Sequence, residues 1–382
     1  MRILHLTRTV SPHSGGVTEA LLQLAKAHEQ AGHPADVASL DAPTAPFLSH
    51  CPLPLHALGN ERQHNYGTSL TYLNWLKKNH RNYDAVVSHG LWQYHGVAAR
   101  KALAGSPTPY YVFPHGMLDP YFHKAYPVKF LKKWIYWKFV EHLNLSAARA
   151  VLFTCEQERK LARTAFSPYR VAERVTGLGT SAPTVDLSTA AARFIHKHPV
   201  LQSKPFLLFL GRLHNKKGLD LLIRAFAQAQ KDQIAHTHKL AIVGPCVSPG
   251  YYQALQNLAS SCEDIHFLDM LNGDEKWGAY AAADAMILPS HQENFGLVVP
   301  ESLACSTPVL ISNKVNIWRE VQDAKGGLVA EDTIVGTRHL IEQWCTYSAK
   351  QKTAMRINAY QTFTTKFAIQ RSAECLIAAL AR

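Results

Sequence analysis

The sequence predicts an α/β protein that contains two parallel-sheet domains. Short apolar runs typical of buried strands recur along the chain and alternate with segments whose apolar residues repeat every three or four positions, as in helices. This pattern restarts near Pro205, after a stretch between residues 176 and 204 that is marked by glycines and prolines. Strands at this spacing, with helices between them, indicate parallel sheets covered on both faces.

The first half of the chain contains four predicted strands, each followed by a loop. They are Ile3-Leu-His-Leu, Asp84-Ala-Val-Val-Ser, Tyr110-Tyr-Val-Phe and Ala150-Val-Leu-Phe-Thr. The first strand leads through a Gly15-Gly16 loop into a helix whose pattern starts at Thr18. The second and third strands end in His89-Gly90 and His115-Gly116, so two histidines are expected at the carboxyl edge of one sheet.

The second half repeats this organisation with five predicted strands. They are Pro205-Phe-Leu-Leu-Phe-Leu-Gly, Leu240-Ala-Ile-Val-Gly, Ile265-His-Phe-Leu, Ala285-Met-Ile-Leu-Pro and Pro308-Val-Leu-Ile-Ser. Residues 176–204 show no long strand or helix pattern, and we place the boundary there, which gives domains 1–190 and 191–362. Ligands of such folds bind at the carboxyl ends of the strands, which predicts a cleft between the domains as the site. No GxGxxG follows either opening strand, which argues against a dinucleotide site.

Composition and charge restrict the function classes. The 382 residues are 47% hydrophobic and 18% charged, as in globular proteins, which excludes disordered and fibrous classes. No apolar run approaches the roughly 20 residues of a membrane span, and we expect neither a span nor a signal peptide. The seven cysteines include no CxxC, which predicts neither disulfides nor a zinc site and favours a cytoplasmic location. The net charge of +12 leaves nucleic acid, an anionic membrane or a phosphorylated small molecule as partners.

The segment 288–312 predicts an anion-binding helix start. Proline is tolerated only in the first turn of a helix and costs about 3 kcal/mol deeper inside, so Pro300 places the helix start near Leu297. The loop from Glu293 to Gly296 then precedes the helix, where free N–H groups and the helix dipole favour an anion. Glu293 and Glu301 lie eight residues apart and can bracket a polar ligand.

A second loop, from Gly211 to Gly218, follows the first strand of the second half. It contains Arg212 and Lys217. A guanidinium fork and a flexible ammonium group at the carboxyl end of a strand suit a diphosphate. Taken by itself, this segment is better explained as a solvated basic loop. Its pairing with the anion-favouring helix start makes a diphosphate site the favoured interpretation.

These residues resemble a known family. Gly211-Arg212-Leu213 and Lys217-Gly218, together with Glu293-x7-Glu301, resemble the retaining, nucleotide-sugar-dependent glycosyltransferases of family 4. The resemblance implies the GT-B fold of two facing Rossmann-like domains, with a C-terminal helix (363–382) that crosses back to the N-terminal domain. Further matching segments are Gly15-Gly16-Val17, His115-Gly116, Ala283–Ser290 and Ala304–Val309, and Phe113–Pro120 is similar to members that build bacterial surface polysaccharides. Ser306 departs from the family, in which many members have glycine.

The resemblance also implies roles for individual residues. Arg212 and Lys217 would hold the donor diphosphate and stabilise the departing nucleoside diphosphate. Glu301 would accept the ribose hydroxyls, Glu293 would lie against the hexose, and His115 would approach it from the other domain. Further donor contacts are expected from Gly16 and from the backbone of Asn294, Phe295, Gly296 and Leu297, with the base near Gly244 and Leu271 unless these are ordinary strand-exit turns. His89 is expected on the acceptor side.

The implied activity is a retaining hexosyltransferase that moves a hexose, expected to be glucose from UDP-glucose, to a glycan or lipid-linked acceptor in bacterial surface polysaccharide synthesis. We expect no cofactor and no metal, because the basic pair neutralises the diphosphate and no Asp-x-Asp motif stands at a strand end. The alternatives are a UDP-sugar 2-epimerase-like enzyme and a non-catalytic scaffold that binds nucleotide sugars or lipids.

A basic and aromatic segment accounts for much of the excess charge. Five lysines (124, 129, 132, 133 and 138) lie between Asp119 and Glu141, and no acid interrupts them. They are interleaved with the aromatic residues Tyr126, Phe130, Trp134, Tyr136, Trp137 and Phe139. The predicted helix Val128–Leu145 has the composition of a membrane-interface element, so Lys124–Lys138 would contact an anionic surface. The alternative is a helix packed on its domain through the aromatic residues. Nucleic acid is not expected, because no nucleic-acid-binding motif is present.

Overall fold

The chain forms two compact units in a computed structural model that describes residues 1–61, 66–121, 123, 127–246 and 248–381. Unit 1 comprises Met1–Thr180 and Ile369–Arg382, and unit 2 comprises Ser181–Ala368. These limits fall close to the sequence-based boundaries at 190/191 and 362/363. No helix among these described residues is long and apolar enough to cross a membrane.

Unit 1 is organised around a parallel sheet of seven strands in the order β3-β2-β1-β4-β5-β6-β7. The strands are β1 (Ile3–Thr7), β2 (Ala35–Ser39), β3 (Leu55–Ala57), β4 (Ala85–His89), β5 (Tyr110–Phe113), β6 (Ala150–Phe153) and β7 (Glu173–Val175). The helices are Gly16–Gln30, Leu70–Asn79, Tyr94–Leu103, Pro127–Tyr136, His142–Ser146, Glu156–Ala162 and Ile369–Leu380, with a π-helical turn at Trp137–Glu141. The four predicted strands are confirmed, whereas β2, β3 and β7 were not predicted.

Unit 2 is organised around a parallel sheet of six strands in the order β10-β9-β8-β11-β12-β13. The strands are β8 (Phe206–Leu210), β9 (Lys239–Val243), β10 (Ile265–Leu268), β11 (Ala285–Leu288), β12 (Val309–Ser312) and β13 (Gly327–Ala330). The helices are Leu187–Lys197, Leu219–Lys231, Pro249–Ala259, Gly273–Ala282, Val298–Ala304, Trp318–Asp323, Ile334–Thr346 and Ala349–Thr362. The predicted α/β class with two Rossmann-like parallel sheets is therefore confirmed.

The segment 176–204, in which the sequence shows no long strand or helix pattern, contains a helix in the structure. It carries the helix Leu187–Lys197, whose N-cap Asp186 accepts a hydrogen bond from the backbone of Thr189 at 2.8 Å. The helix packs on the helix Gly273–Ala282, where a Cβ on Gly278 would lie 2.4 Å from the carbonyl oxygen of Ala190. This close contact assigns the helix to unit 2 and moves the boundary ahead of it.

The final helix packs on unit 1, as the family resemblance implied. Its residues Ile369, Ala373, Leu376 and Leu380 are buried in one cluster with residues of β1, β4, β5 and β6. The hydroxyl of Tyr111 donates a hydrogen bond to the carbonyl of Leu380 at 3.2 Å, and Arg174 donates one to the carbonyl of Ala379. The last helix, Ile369–Leu380, is therefore part of unit 1.

Ser306 occupies a backbone position that favours glycine. The helix Val298–Ala304 ends in a Schellman motif, in which the N–H of Ser306 donates to Leu303 and that of Thr307 to Ser302, both at 3.0 Å. Ser306 therefore adopts the left-handed conformation, with φ of +58°. Residues with a Cβ are disfavoured in this conformation, which glycine adopts without strain.

We predict that Ser306→Gly stabilises the protein, because glycine removes the strain of the left-handed conformation. The gain should be about 0.5–1 kcal/mol in the free energy of unfolding, after the larger entropy of glycine in the unfolded chain is subtracted. Urea unfolding of the two proteins measures it. Ser260→Gly, at a position with ordinary helical φ of −58°, should destabilise instead. An unchanged or lower free energy of unfolding in Ser306→Gly would contradict the inferred backbone strain at position 306.

Candidate active site

The candidate site lies at the carboxyl ends of β8 and β11, where the order of strands in unit 2 changes direction. Loops that leave neighbouring parallel strands at such a switch point form the usual ligand crevice of open α/β sheets. The loop Gly211–Gly218 follows β8, and the loop Pro289–Leu297 follows β11. The two segments that the sequence singled out are therefore brought together on one unit.

Glycine allows these two loops to pack backbone against backbone. Gly218 has φ of +66°, and a Cβ there would lie 2.1 Å from the carbonyl oxygen of Pro289. The N–H of His291 donates a hydrogen bond to the carbonyl of Lys216 at 2.8 Å. No side chain fits at position 218 without separation of the loops.

The loops are joined by an ion pair between Lys217 and Glu293. The Nζ of Lys217 donates to Oε2 of Glu293, and both side chains are largely buried, with exposed fractions of 12% and 13%. Burial would raise the pKa of Glu293, but the charges of Lys217, Lys216 and Arg212 outweigh it and lower that pKa. Glu293 is thus held as a carboxylate among three cations.

Arg212 extends this positive region towards solvent. Its side chain is exposed and forms no hydrogen bond or ion pair with another residue in the described part of the chain. A guanidinium group offers five donors in a planar fork that suits two phosphate oxygens. Arg212 therefore has donor capacity available for an anion beside the Lys217–Glu293 pair.

The loop that carries Glu293 is also hydrogen-bonded to the turn that follows β12. The N–H of Glu293 donates to the carbonyl of Lys314 at 3.0 Å, and the N–H of Asn316 donates to the carbonyl of Glu293 at 2.9 Å. The side chain of Asn316 also donates to Oδ1 of Asn294 at 3.3 Å. These bonds hold the predicted site residues 293 and 294 on a rigid support.

The helix after this loop begins at Val298, one residue beyond the predicted start, with Pro300 in its first turn as expected. Gly296 has φ of +68°, and a Cβ there would lie 2.8 Å from Cγ of Glu293. Phe295 is buried, with its ring against that of Phe367, so only its backbone can reach a ligand. Leu297 is the N-cap residue.

Glu301 is buried and has two partners that the sequence did not reveal. Its Oε1 accepts from Nζ of Lys276 at 2.9 Å, and its Oε2 accepts from the hydroxyl of Tyr280 at 3.0 Å. Burial, and then the charge of Glu301, raises the pKa of Tyr280 well above its usual value, so the phenol stays a donor. Each carboxylate oxygen has a further lone pair, so Glu301 retains acceptor capacity.

The residues expected near the base differ in exposure. Gly244 follows β9 with φ of +139°, and a Cβ there would lie 2.1 Å from the carbonyl oxygen of Gly211, so glycine is required by the close approach of the strand exits. Leu271 is buried at 7% exposure. Position 244 thus has a packing role whether or not a base contacts it.

The predicted residues of unit 1 lie at the carboxyl edge of its own sheet. Gly16 is the exposed first residue of the helix Gly16–Gln30. His115 follows β5 in the left-handed conformation, with φ of +51°, and the next N–H, of Gly116, donates to the buried carboxylate of Glu158. His89 is 2% exposed and both its ring nitrogens are bonded to histidines. The structure therefore places His89 in the interior rather than on an acceptor surface.

No group of three or more His, Cys, Asp or Glu side chains within the described ranges is arranged to hold a metal ion.

Two family models match the chain, one for each half. Residues 15–178 match the glycosyl transferase 4-like domain, and residues 192–362 match the glycosyl transferases group 1. The first match lies within unit 1 and the second within unit 2.

Curated relatives are about a third identical to this chain over an aligned part of its length. An uncharacterised glycosyltransferase of Methanocaldococcus jannaschii is 31% identical over 129 residues, 34% of this chain and 32% of the relative. A D-inositol 3-phosphate glycosyltransferase of Acidothermus cellulolyticus is 33% identical over 132 residues, 33% of this chain and 30% of the relative. The chain therefore spans about a third of the length of these relatives.

Solved structures share the fold over the whole chain. A sucrose-phosphate synthase from Thermosynechococcus elongatus has a TM-score of 0.77 at 18% identity, with 100% of this chain and 98% of that chain covered. Anabaena Alr3699/HepE in complex with UDP and glucose also has a TM-score of 0.77 at 18% identity, with 100% and 99% covered.

We predict that Glu293→Gln lowers the free energy of unfolding at pH 7 by about 1–3 kcal/mol, because it leaves the buried Lys217 without its partner. The pKa of Glu293 is lowered in the folded state, so its contribution is present above the usual value of 4.5 and is lost as the pH falls through the lowered pKa. The difference between the proteins should therefore shrink in acid. Urea unfolding at several pH values measures it.

Glu263→Gln is the matched control for this prediction, because Glu263 is an exposed acid of the same unit. Its effect should stay within about 0.5 kcal/mol at each pH. A loss of stability in Glu293→Gln that does not change with pH would refute the electrostatic origin of the stabilisation.

Proposed function

We propose that this chain, which belongs to the family 4-type glycosyltransferases of the GT-B fold, transfers a hexose from a nucleotide sugar to an acceptor. The observation that carries this proposal is the cation cluster at the switch point of unit 2. Three cations, Arg212, Lys216 and Lys217, lie around a single carboxylate, Glu293. A nucleoside diphosphate supplies the negative charge that balances this excess.

In the proposed reaction, the cluster binds the donor and assists departure of the leaving group. Arg212 and Lys217 bind the diphosphate and stabilise the charge that grows on it as the glycosidic bond breaks. Their fixed positions mean that little reorganisation accompanies this step. Glu293, held ionised by Lys217, is proposed to stabilise positive charge that develops on the sugar ring. Retention of configuration follows from attack on the face that the leaving group vacates.

The proposed donor is a UDP-hexose, with glucose as the first sugar to test. Support comes from neighbours of the same fold, since HepE has been solved with UDP-glucose. Glu301 is proposed to accept the ribose hydroxyls, because Lys276 and Tyr280 hold its carboxylate in one orientation. We propose that no divalent metal is required, because Arg212 and Lys217 take over neutralisation of the diphosphate.

The proposed acceptor is a glycan or a lipid-linked glycan of bacterial surface polysaccharide synthesis, reached at the cytoplasmic face of the membrane. Support comes from an exposed apolar stripe on the helical segment 127–146. Val128, Leu131, Ile135, Phe139 and Leu143 recur every three or four residues and are 41–72% exposed. Such a stripe on a soluble surface marks an interaction site.

Lysines flank this stripe, and the inner face of the segment is packed. Lys129, Lys132 and Lys138 are exposed, whereas Trp137 is buried against Phe166. The segment thus packs on its unit through some aromatic residues and presents aliphatic ones to solvent, so packing on the unit leaves a face available for the proposed membrane contact. Lys124, the fifth lysine of the predicted surface, lies outside the described residues. We propose that this surface binds an anionic membrane.

We predict that Arg212→Ala weakens binding of UDP by about 10- to 100-fold, as expected for loss of a charge-assisted hydrogen bond. Isothermal titration with UDP, GDP and ADP measures the effect and the base preference. Arg224→Ala changes an exposed arginine on the helix Leu219–Lys231, and this variant should bind UDP like the parent protein.

Transfer from UDP-glucose should persist in EDTA. Absence of binding to any nucleoside diphosphate would overturn the proposed function, and free epimer from UDP-GlcNAc without transfer would indicate an epimerase.

We predict that Lys129→Gln/Lys132→Gln reduces binding to phosphatidylglycerol vesicles by about 10- to 30-fold, since each lysine near an anionic surface contributes about 1 kcal/mol. Vesicle flotation measures it, with phosphatidylcholine vesicles as the neutral comparison. Lys77→Gln/Lys78→Gln removes the same charge from the exposed end of another helix of unit 1 and should bind normally. Equal flotation with anionic and neutral lipid would argue against the membrane surface.

A further inference from the structure

Three histidines of unit 1 form a continuous chain of hydrogen bonds from the interior of the sheet to its carboxyl edge. Nδ1 of His5 lies 2.9 Å from Nε2 of His89, and Nδ1 of His89 lies 2.9 Å from Nε2 of His115. His5 is in β1, His89 is the last residue of β4, and His115 lies two residues beyond β5. We call these three residues the histidine chain.

The register of the parallel strands produces this chain. His5 pairs in register with Val87, and His89 follows two residues later on the same face of the sheet. His89 in turn pairs with Phe113, and His115 follows two residues after that. Each step therefore crosses to the next strand and advances two residues towards the carboxyl edge. The ring of Phe113 stacks on that of His115 with centroids 4.5 Å apart, which fixes the outer end.

The surroundings keep the histidine chain uncharged at neutral pH. Burial lowers the pKa of His115 to about 3 and those of His5 and His89 well below 6.5, and neighbouring histidines lower the last two further. The ionisable groups that face the chain are His28, stacked on His5, His95, which bonds to the carbonyl of His89, Arg8 near His95, and Glu158, which accepts from Gly116. Neither His28 nor His95 adds a charge, since burial lowers the pKa of each to about 4.

The two ends of the histidine chain differ, and this difference favours one direction of hydrogen-bond donation along it. A neutral imidazole has one N–H and one bare nitrogen, so all three rings must donate in the same direction along the chain. Outward donation leaves a bare Nε2 on His5, whereas inward donation leaves an N–H there, and no described residue bonds to this buried atom. Unpaired buried N–H groups are the rarer of the two in proteins, which favours outward donation.

We propose that His89 and His5 are positioning residues that hold His115 as a neutral imidazole with its proton on Nδ1, so that this ring offers a hydrogen-bond donor to a bound ligand. Nδ1 of His115 forms no hydrogen bond to any described residue, and the side chain is partly exposed. The inner end of the chain stops in the core at His5, so the chain orients His115 rather than conducting protons. That the ligand is a sugar hydroxyl rests on the proposed function, whereas the tautomer does not.

Nitrogen NMR of 15N-histidine-labelled protein without ligand at pH 7 tests the tautomer directly. The resonances of His115 are identified by their loss in His115→Phe. We expect a protonated Nδ1 and a bare Nε2. A proton on Nε2, a protonated ring, or an average of the two tautomers would overturn the proposal, and the result does not depend on any transferase activity.

Variants of His89 test the positioning role. His89→Phe keeps a ring but removes both bonds, and we expect His115 to lose its single tautomer and kcat for transfer to fall about 10- to 100-fold. His89→Asn can still donate to Nε2 of His115 from the place of Nδ1 and should restore the tautomer. His28→Phe is the matched control, because His28 stacks on His5 without bonding to the chain. Equal tautomer spectra in His89→Phe and His28→Phe would refute the role, whichever way activity changes.

Discussion

The site of unit 2 depends on one steric constraint, the contact of two backbones where β8 and β11 end. The carbonyl of Pro289 occupies the place of a side chain at Gly218, and the carbonyl of Gly211 does the same at Gly244. Larger residues would force the strand exits apart. Lys217 and Glu293 would then be half-buried charges without partners, which is costly. Gly218 and Gly244 therefore allow the loops to approach closely enough for the ion pair to form, and the ion pair in turn keeps Glu293 ionised beside Arg212.

Much of this arrangement could be predicted because its signals are local. Apolar runs located nine of the thirteen strands in the described part of the chain, and Pro300 placed the start of a helix to within one residue of Val298. The strands with the weakest apolar patterns were not predicted. The strand β2 reads Ala-Asp-Val-Ala-Ser, with polar residues at two of five places, and β3 and β7 have three residues each. The helix Leu187–Lys197 was hidden because the surrounding glycines and prolines suggested a linker, although they only flank it.

Contacts between distant segments could not be predicted, because they depend on packing. Lys276 and Tyr280 precede Glu301 by more than twenty residues on another helix, and neither belongs to a motif. His89 was placed at the correct strand end from the sequence, but the burial of its ring follows from the register of β4 with β1 and β5. Likewise, composition predicted a mixed basic and aromatic helix, and only the fold shows that the aliphatic residues Leu131 and Ile135 face solvent while Trp137 faces inward.

The two units therefore keep their site residues in defined protonation states by opposite means. In unit 2, cations stabilise a carboxylate, and the pKa of Glu293 is lowered, so that its stabilising effect survives until the pH falls below about 4.5. In unit 1, burial stabilises neutral imidazoles. Below about pH 6.5 these imidazoles are protonated in the unfolded chain but not in the folded chain, which favours unfolding. Each of His5, His28, His89, His95 and His115 then lowers stability by about 1.4 kcal/mol per pH unit until it titrates in the folded state. These buried histidines therefore cost stability only in acid, below the pH at which the unfolded imidazoles begin to protonate.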